Sequence, residues 1–168
     1  GLPYPGGPSI QNAAAEGKAV YDFPRALLNE GYDFSFSGLK SAVLNFLNQK
    51  QMKGEAYKIE DVAASAQVAI TEVLAAKAVR AAQEENMNTL VLAGGVAANL
   101  ALRQKIKDLN PNLNLLYPSL VYCTDNAAMI GAVALHKFAK GEFADLSLNA
   151  QAHLPLYYIE EDRINDVL

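Results

Sequence analysis

The chain has 168 residues, enough for one domain with a buried core, and its 51% hydrophobic and 19% charged content is an ordinary globular balance. A net charge of −4 argues against a protein that coats nucleic acid through a broad basic face, and polar residues interrupt the apolar stretches too often for a membrane span. The one cysteine, Cys123, has no internal disulfide partner, so a cytoplasmic protein is expected.

The opening GLPYPGGPSI is turn-dense, with Pro3, Pro5, Gly6, Gly7 and Pro8 constraining the backbone. It has no basic region followed by an apolar core, so it is not a secretory signal. Beginning on such a turn without Met, it reads as the downstream part of a longer protein. Residues 10–16 predict a short helix closed by Gly17. Residues 19–36 are aromatic-rich and interrupted, and Phe34 and Phe36 alternating with serines predict a short extended segment.

The period then changes. Leu39, Val43, Phe46 and Leu47 share one face of a helix over 38–50, for which Ser37 is the simplest N-cap. Residues 49–58 read as an exposed polar loop. Residues 59–85 carry the longest helical pattern, with Val62, Ala66, Ile70, Val73, Leu74 and Val79 at spacings of three or four; its alanines favour helix and close packing. Residues 89–93 are an apolar run without alternation, as in a buried parallel strand. A helix follows over 97–109, ended by the turn Asn110-Pro111-Asn112, and 113–117 is a second strand candidate. Asp125 then caps a helix that runs to about residue 140 and stops at Gly141. This order of strand, helix, strand, helix predicts an α/β class.

Chemistry concentrates at LVLAGGVAAN, residues 90–99, and at TDNAAMIGA, residues 124–132. A strand that ends in Gly94-Gly95 and turns onto a helix N-terminus presents backbone N–H groups to phosphate or another anion, with the Asn99 amide as donor and acceptor. Tight strand-to-helix packing explains the two glycines equally well. Neither GxGxxG nor GK[ST] is present, so the commonest nucleotide folds are excluded. In PYPGGP, Gly7 serves either a rigid turn or a wall that a ligand approaches closely. Asp125 is a good N-cap and also a candidate metal ligand. His136 and His153 lack the spacing of a metal pair with it, so such a site is incomplete. Cys123 reads as a buried apolar residue, and no Gly-x-Ser-x-Gly elbow supports hydrolase chemistry. The basic groups Lys50, Lys53, Lys58 and Arg103, Lys105, Lys107 read as solvated helix ends or faces.

PYPGGP, FSFSGLK, LVLAGGVAAN-x-x-LR and CTDNAAMIGA, in this order and spacing, resemble the bacterial tRNA adenosine threonylcarbamoyltransferase family, formerly described as O-sialoglycoprotein endopeptidases. The likeness runs from Gly1 to about Pro155. It implies the C-terminal part of an actin-like two-lobe fold, the architecture of sugar kinases and chaperone ATPases, here helix-rich with an incomplete sheet. The implied activity moves a threonylcarbamoyl group from threonylcarbamoyl-adenylate to the exocyclic amine of the adenosine 3′ of the anticodon in tRNA. Gly7 and Asn99 match adenylate-binding positions, Gly94 and Gly95 the turn on the phosphate side, and Asp125 one ligand of a catalytic iron or zinc. The family's His-x-x-x-His ligands are not in this chain, so these 168 residues alone are expected to be inactive and their sheet to leave an edge on which a homodimer can pair. The implied partners are tRNA, a paralogous subunit and a small P-loop ATPase, with no membrane. No residue stands out as a general base. The alternatives are an O-carbamoyltransferase-type relative and a non-catalytic paralogue that acts as a scaffold.

Overall fold

The computed structural model describes residues 1–153. They fall into two units, Gly1–Asp125 and the unit that begins at Asn126.

The first unit is built around one long helix. Helix α1 spans Gly6–Ala15, α2 Ser37–Lys53 and α3 Ile59–Glu84; strand β1 (Thr89–Val91), a 3-10 turn at Gly95–Ala98, α4 (Leu100–Leu109) and β2 (Asn114–Leu116) follow. Helix α3 runs unbroken for 26 residues because alanine and straight-chain residues fill it and Glu60 and Asp61 in its first turn offset the helix dipole. It is long and apolar enough to cross a membrane by length and composition, yet it is the core helix here, packed by α1, α2 and α4. Buried side chains surround it: Val79, Ala75 and Ala82 meet Leu102, Ile106 and Leu113, Val62 and Ala69 meet Phe23 and Leu39, and Ala63 and Ala64 meet Ala14.

Small residues set the closest approaches. A Cβ on Gly17 would stand 2.1 Å from the carbonyl oxygen of Glu60, so the chain leaving α1 passes directly against the start of α3. Gly17 therefore has a packing reason as well as its expected role as a helix stop. At the other end of α2, Gly54 takes the left-handed conformation at φ 64°, and the N–H groups of Gly54 and Glu55 close back onto Gln51 and Lys50.

β1 and β2 pair in parallel, with Thr89 opposite Asn114 and Val91 opposite Leu116, joined through α4 as a βαβ unit. Leu90, Leu92 and Leu115 pack onto the α3–α4 core, whereas Val91 is 64% exposed and Leu116 48%. The expected strand buried on both faces is thus covered on one face only.

Other expectations shift at their boundaries. Helix α1 begins at Gly6, so the PGGP motif is a first helical turn and not a loop. Proline fits such a turn because the first N–H groups of a helix have no partner inside it. Phe36, not Ser37, stands at the N-cap of α2, which continues to Lys53 and reduces the polar loop to 54–58. Residues 33–36 form no strand, although the Phe34 and Phe36 rings stack at 6.3 Å as alternate residues of an extended chain do.

In the second unit α5 spans Ala127–Ala139 and ends on Gly141 at φ 70°. Its cap is Asn126, whose Oδ1 accepts from the Met129 N–H at 3.3 Å. Asp125, expected there, lies one residue earlier.

Candidate functional site

The turn at 94–99 follows β1, three residues after its last, Val91. Gly94 adopts φ 81°, ψ 176°, a conformation essentially confined to glycine, and its carbonyl accepts the Ala97 N–H at 3.0 Å. Gly94 and Gly95 are exposed, and a Cβ on either would meet nothing within 4 Å. The helix expected from 97 onwards starts only at Leu100, because Asn99 sits in extended backbone as its N-cap.

Asn99 uses both ends of its amide. Its Oδ1 accepts from the Leu102 N–H at 2.9 Å and its Nδ2 donates to Gln67 Oε1 on α3 at 3.3 Å. The Leu100 N–H donates to Gln11 Oε1 on α1 at 3.1 Å. Two first-turn donors of α4 are thereby satisfied by side chains. What this corner leaves open is the exposed glycine turn, not a bare helix end.

Gln11 and Gln67 join three segments far apart in the chain, and sequence reasoning overlooked both. A glutamine on a helix face carries no pattern; only the fold shows that it reaches the N-terminus of α4. Gly7 stands four residues before Gln11, on the same side of α1, and a Cβ there would also meet nothing within 4 Å. Thus Gly7, Asn99 and the Gly94-Gly95 turn belong to one neighbourhood. Phe34 of the aromatic segment joins it as one wall of an apolar cavity of about 200 Å3 with Leu74, Leu92, Val96 and Leu102.

Asp125 is exposed and takes no part in the cap that Asn126 forms. It is a single oxygen donor. Among the described residues, no three His, Cys, Asp or Glu side chains converge to hold a metal ion, so these residues do not by themselves make a metal site. Cys123 is buried, as expected.

The two basic groups are largely the solvated helix ends and faces expected of them, with Lys53, Lys58 and Lys107 exposed, and Arg103 is the exception. Lys50 Nζ lies 2.6 Å from Glu55 Oε2; this hydrogen bond, aided by the opposite charges, holds the Glu55 carboxyl below and the Lys50 ammonium above its usual range. Lys105 pairs with Glu72 at 3.4 Å, and Lys107 donates to the Tyr117 hydroxyl at 3.2 Å. Arg103 is only 8% exposed. It points into the protein because carbonyl oxygens there satisfy its N–H groups.

Residues 1–132 match the family model described as tRNA N6-adenosine threonylcarbamoyltransferase (TsaD). The chain belongs to this family. It is 52% identical over 159 residues to the tRNA N6-adenosine threonylcarbamoyltransferase of Clostridioides difficile strain 630, covering 92% of this chain and 47% of that protein. The protein of the same name from Geobacillus kaustophilus is 52% identical over 161 residues, covering 93% and 47%. That from Enterococcus faecalis is 47% identical over 167 residues, covering 96% and 48%. The chain therefore spans about half the length of the curated threonylcarbamoyltransferases it matches. Among solved structures, HypF of T. kodakarensis has a similar fold, with a TM-score of 0.58 at 24% identity over 83% of this chain and 18% of that one. Membership thus rests on sequence identity, and the HypF likeness concerns the fold alone.

Proposed function

We propose that the full-length protein transfers a threonylcarbamoyl group from threonylcarbamoyl-adenylate to the exocyclic amine of the adenosine 3′ of the anticodon in tRNA. Residues 1–168 are its C-terminal portion, part of an actin-like two-lobe fold, and work in the cytoplasm. The single observation that carries this reading is the meeting of the family's motifs. Gln11, about one turn after Gly7 on α1, accepts the Leu100 N–H next to Asn99 at the start of α4, beside the exposed Gly94-Gly95 turn.

In this reading the glycine turn and the Gly7 face take the adenylate, because neither carries a side chain that blocks a phosphate or ribose. The adenosine amine attacks the carbamoyl carbon, the bond from that carbon to the phosphate oxygen breaks, the amine loses a proton, and AMP leaves. Backbone N–H groups at the turn suit the negative charge that grows on the departing phosphate. Asp125 supplies one carboxylate to a divalent iron or zinc ion whose remaining ligands come from outside the described residues. That ion acts as a Lewis acid when bound. tRNA, a paralogous subunit and a small P-loop ATPase are the partners.

The test is transfer of labelled threonine to tRNA by the full-length protein with the adenylate-forming enzyme and partner subunits. Label on tRNA is expected with the native protein, background label with Asp125→Ala, and none with residues 1–168 alone. A folded full-length protein that transfers carbamoyl but no threonylcarbamoyl would overturn the assignment.

A further inference from the structure

The geometry points to Arg103 as a positioning residue that locks the ligand turn at 94–99 to the segment 118–123 leading to Asp125. Its guanidinium is buried between the two. Nε donates to the carbonyl of Ala97, inside the glycine turn, at 2.5 Å; Nη2 reaches the carbonyl of Pro118 and the sulfur of Cys123, each at 3.4 Å. The Tyr117 ring lies against it, 4.0 Å from the guanidinium carbon to the ring centroid. Ala97 and Cys123 are themselves 3% and 1% exposed, so the clamp is shielded from water.

A surface arginine would answer a carboxylate. Here the partners are two carbonyls and a sulfur from separate segments, which only a rigid fork with donors in different directions satisfies together. Burying a full charge for such partners is costly unless each bond is made. Its structural consequence is that Asp125, two residues beyond Cys123, and Asn99, two beyond Ala97, keep a set relation. The Arg103 guanidinium bonds neither side chain, although its backbone N–H donates to the Asn99 carbonyl at 3.3 Å within the first turn of α4. It acts through the backbones that carry them. This role rests on the adenylate-binding reading of the glycine turn.

The experiment compares native full-length protein with Arg103→Met, Arg103→Lys and Tyr117→Leu, and with Lys105→Met as a control on the same helix. AMP affinity by calorimetry and amide hydrogen exchange are read for each. Arg103→Met is expected to weaken AMP binding and to speed exchange in 94–99 and 119–125 by at least about tenfold, while α3 amides keep their protection. Arg103→Lys, with all its donors on one nitrogen, should restore protection in one segment and not in both. Tyr117→Leu should shift both readouts in the same direction by less, and Lys105→Met should shift neither. Unchanged exchange in both segments, or loss of protection in α3 to the same degree, would overturn the clamp. If native protein fails to bind AMP, the adenylate reading falls, while the exchange arm still decides whether Arg103 locks the two segments.

Discussion

Asp125 and Asn126 are neighbours of similar capping ability, and the structure separates their tasks. The Asn126 amide accepts the Met129 N–H, so the carboxylate of Asp125 remains exposed beside the cap. Asn126→Ala is therefore expected to lower stability by about 1 kcal/mol, the ordinary worth of an N-cap. Asp125→Ala should leave the urea midpoint within error. Equal losses from both variants in the same unfolding series would return the capping role to Asp125. Arg103 and Asn99 teach the converse lesson. Each has a polar side chain that suits a ligand or solvent, and each is held by protein partners that only the folded chain brings within reach.

Helices meet here through small residues and end through glycines. The oxygen of Glu60 occupies the space that a side chain on Gly17 would need. Gly17→Ala should therefore displace α1 from α3 and cost about 3 kcal/mol, measurable as a lower midpoint with an unchanged slope. The Gly54 cap of α2 carries the Lys50–Glu55 pair across its end. Because the pair depresses the Glu55 carboxyl, its stabilisation is present above the unfolded carboxyl pKa of about 4.3 and is lost as pH falls through the lower folded value. Lys50 is raised, so its share is present below about 10.4 and is lost as pH rises through the higher folded value. The difference in stability between native protein and Glu55→Gln should be small at neutral pH, shrink with salt and vanish in acid. A difference that persists in acid would assign the effect to packing.

At the scale of the whole molecule, two of the motifs that lie far apart in sequence, PYPGGP and the turn at 94–99, come to one corner of the first unit, and this makes ligand linkage the most direct global test. AMP at about 100 times its dissociation constant should stabilise the full-length protein by about 2.7 kcal/mol. Gly7→Leu, whose Cβ meets nothing within 4 Å among the described residues, should lose that stabilisation in a protein whose circular dichroism shows it folded. A normal AMP shift in Gly7→Leu would move the ligand away from α1. The covered and open faces of the β1–β2 pair belong to the same scale: Leu90, Leu92 and Leu115 meet the α3–α4 core, while Val91 and Leu116 are exposed.

Local order was legible in the residues alone. The 3.6-residue period marked α3, an apolar run marked β1, the glycine after α5 marked its end, and four ordered motifs named the family. These signals depend on backbone preference and on which side of an element is apolar, and a short window contains them. Partners distant in sequence were not legible. Nothing around Arg103 announces that the carbonyls of Ala97 and Pro118 will satisfy a buried guanidinium, and nothing around Gln11 announces the first N–H of α4. The burial of a polar side chain depends on which donors and acceptors the completed fold brings to it, because desolvation is tolerated only where those bonds are made.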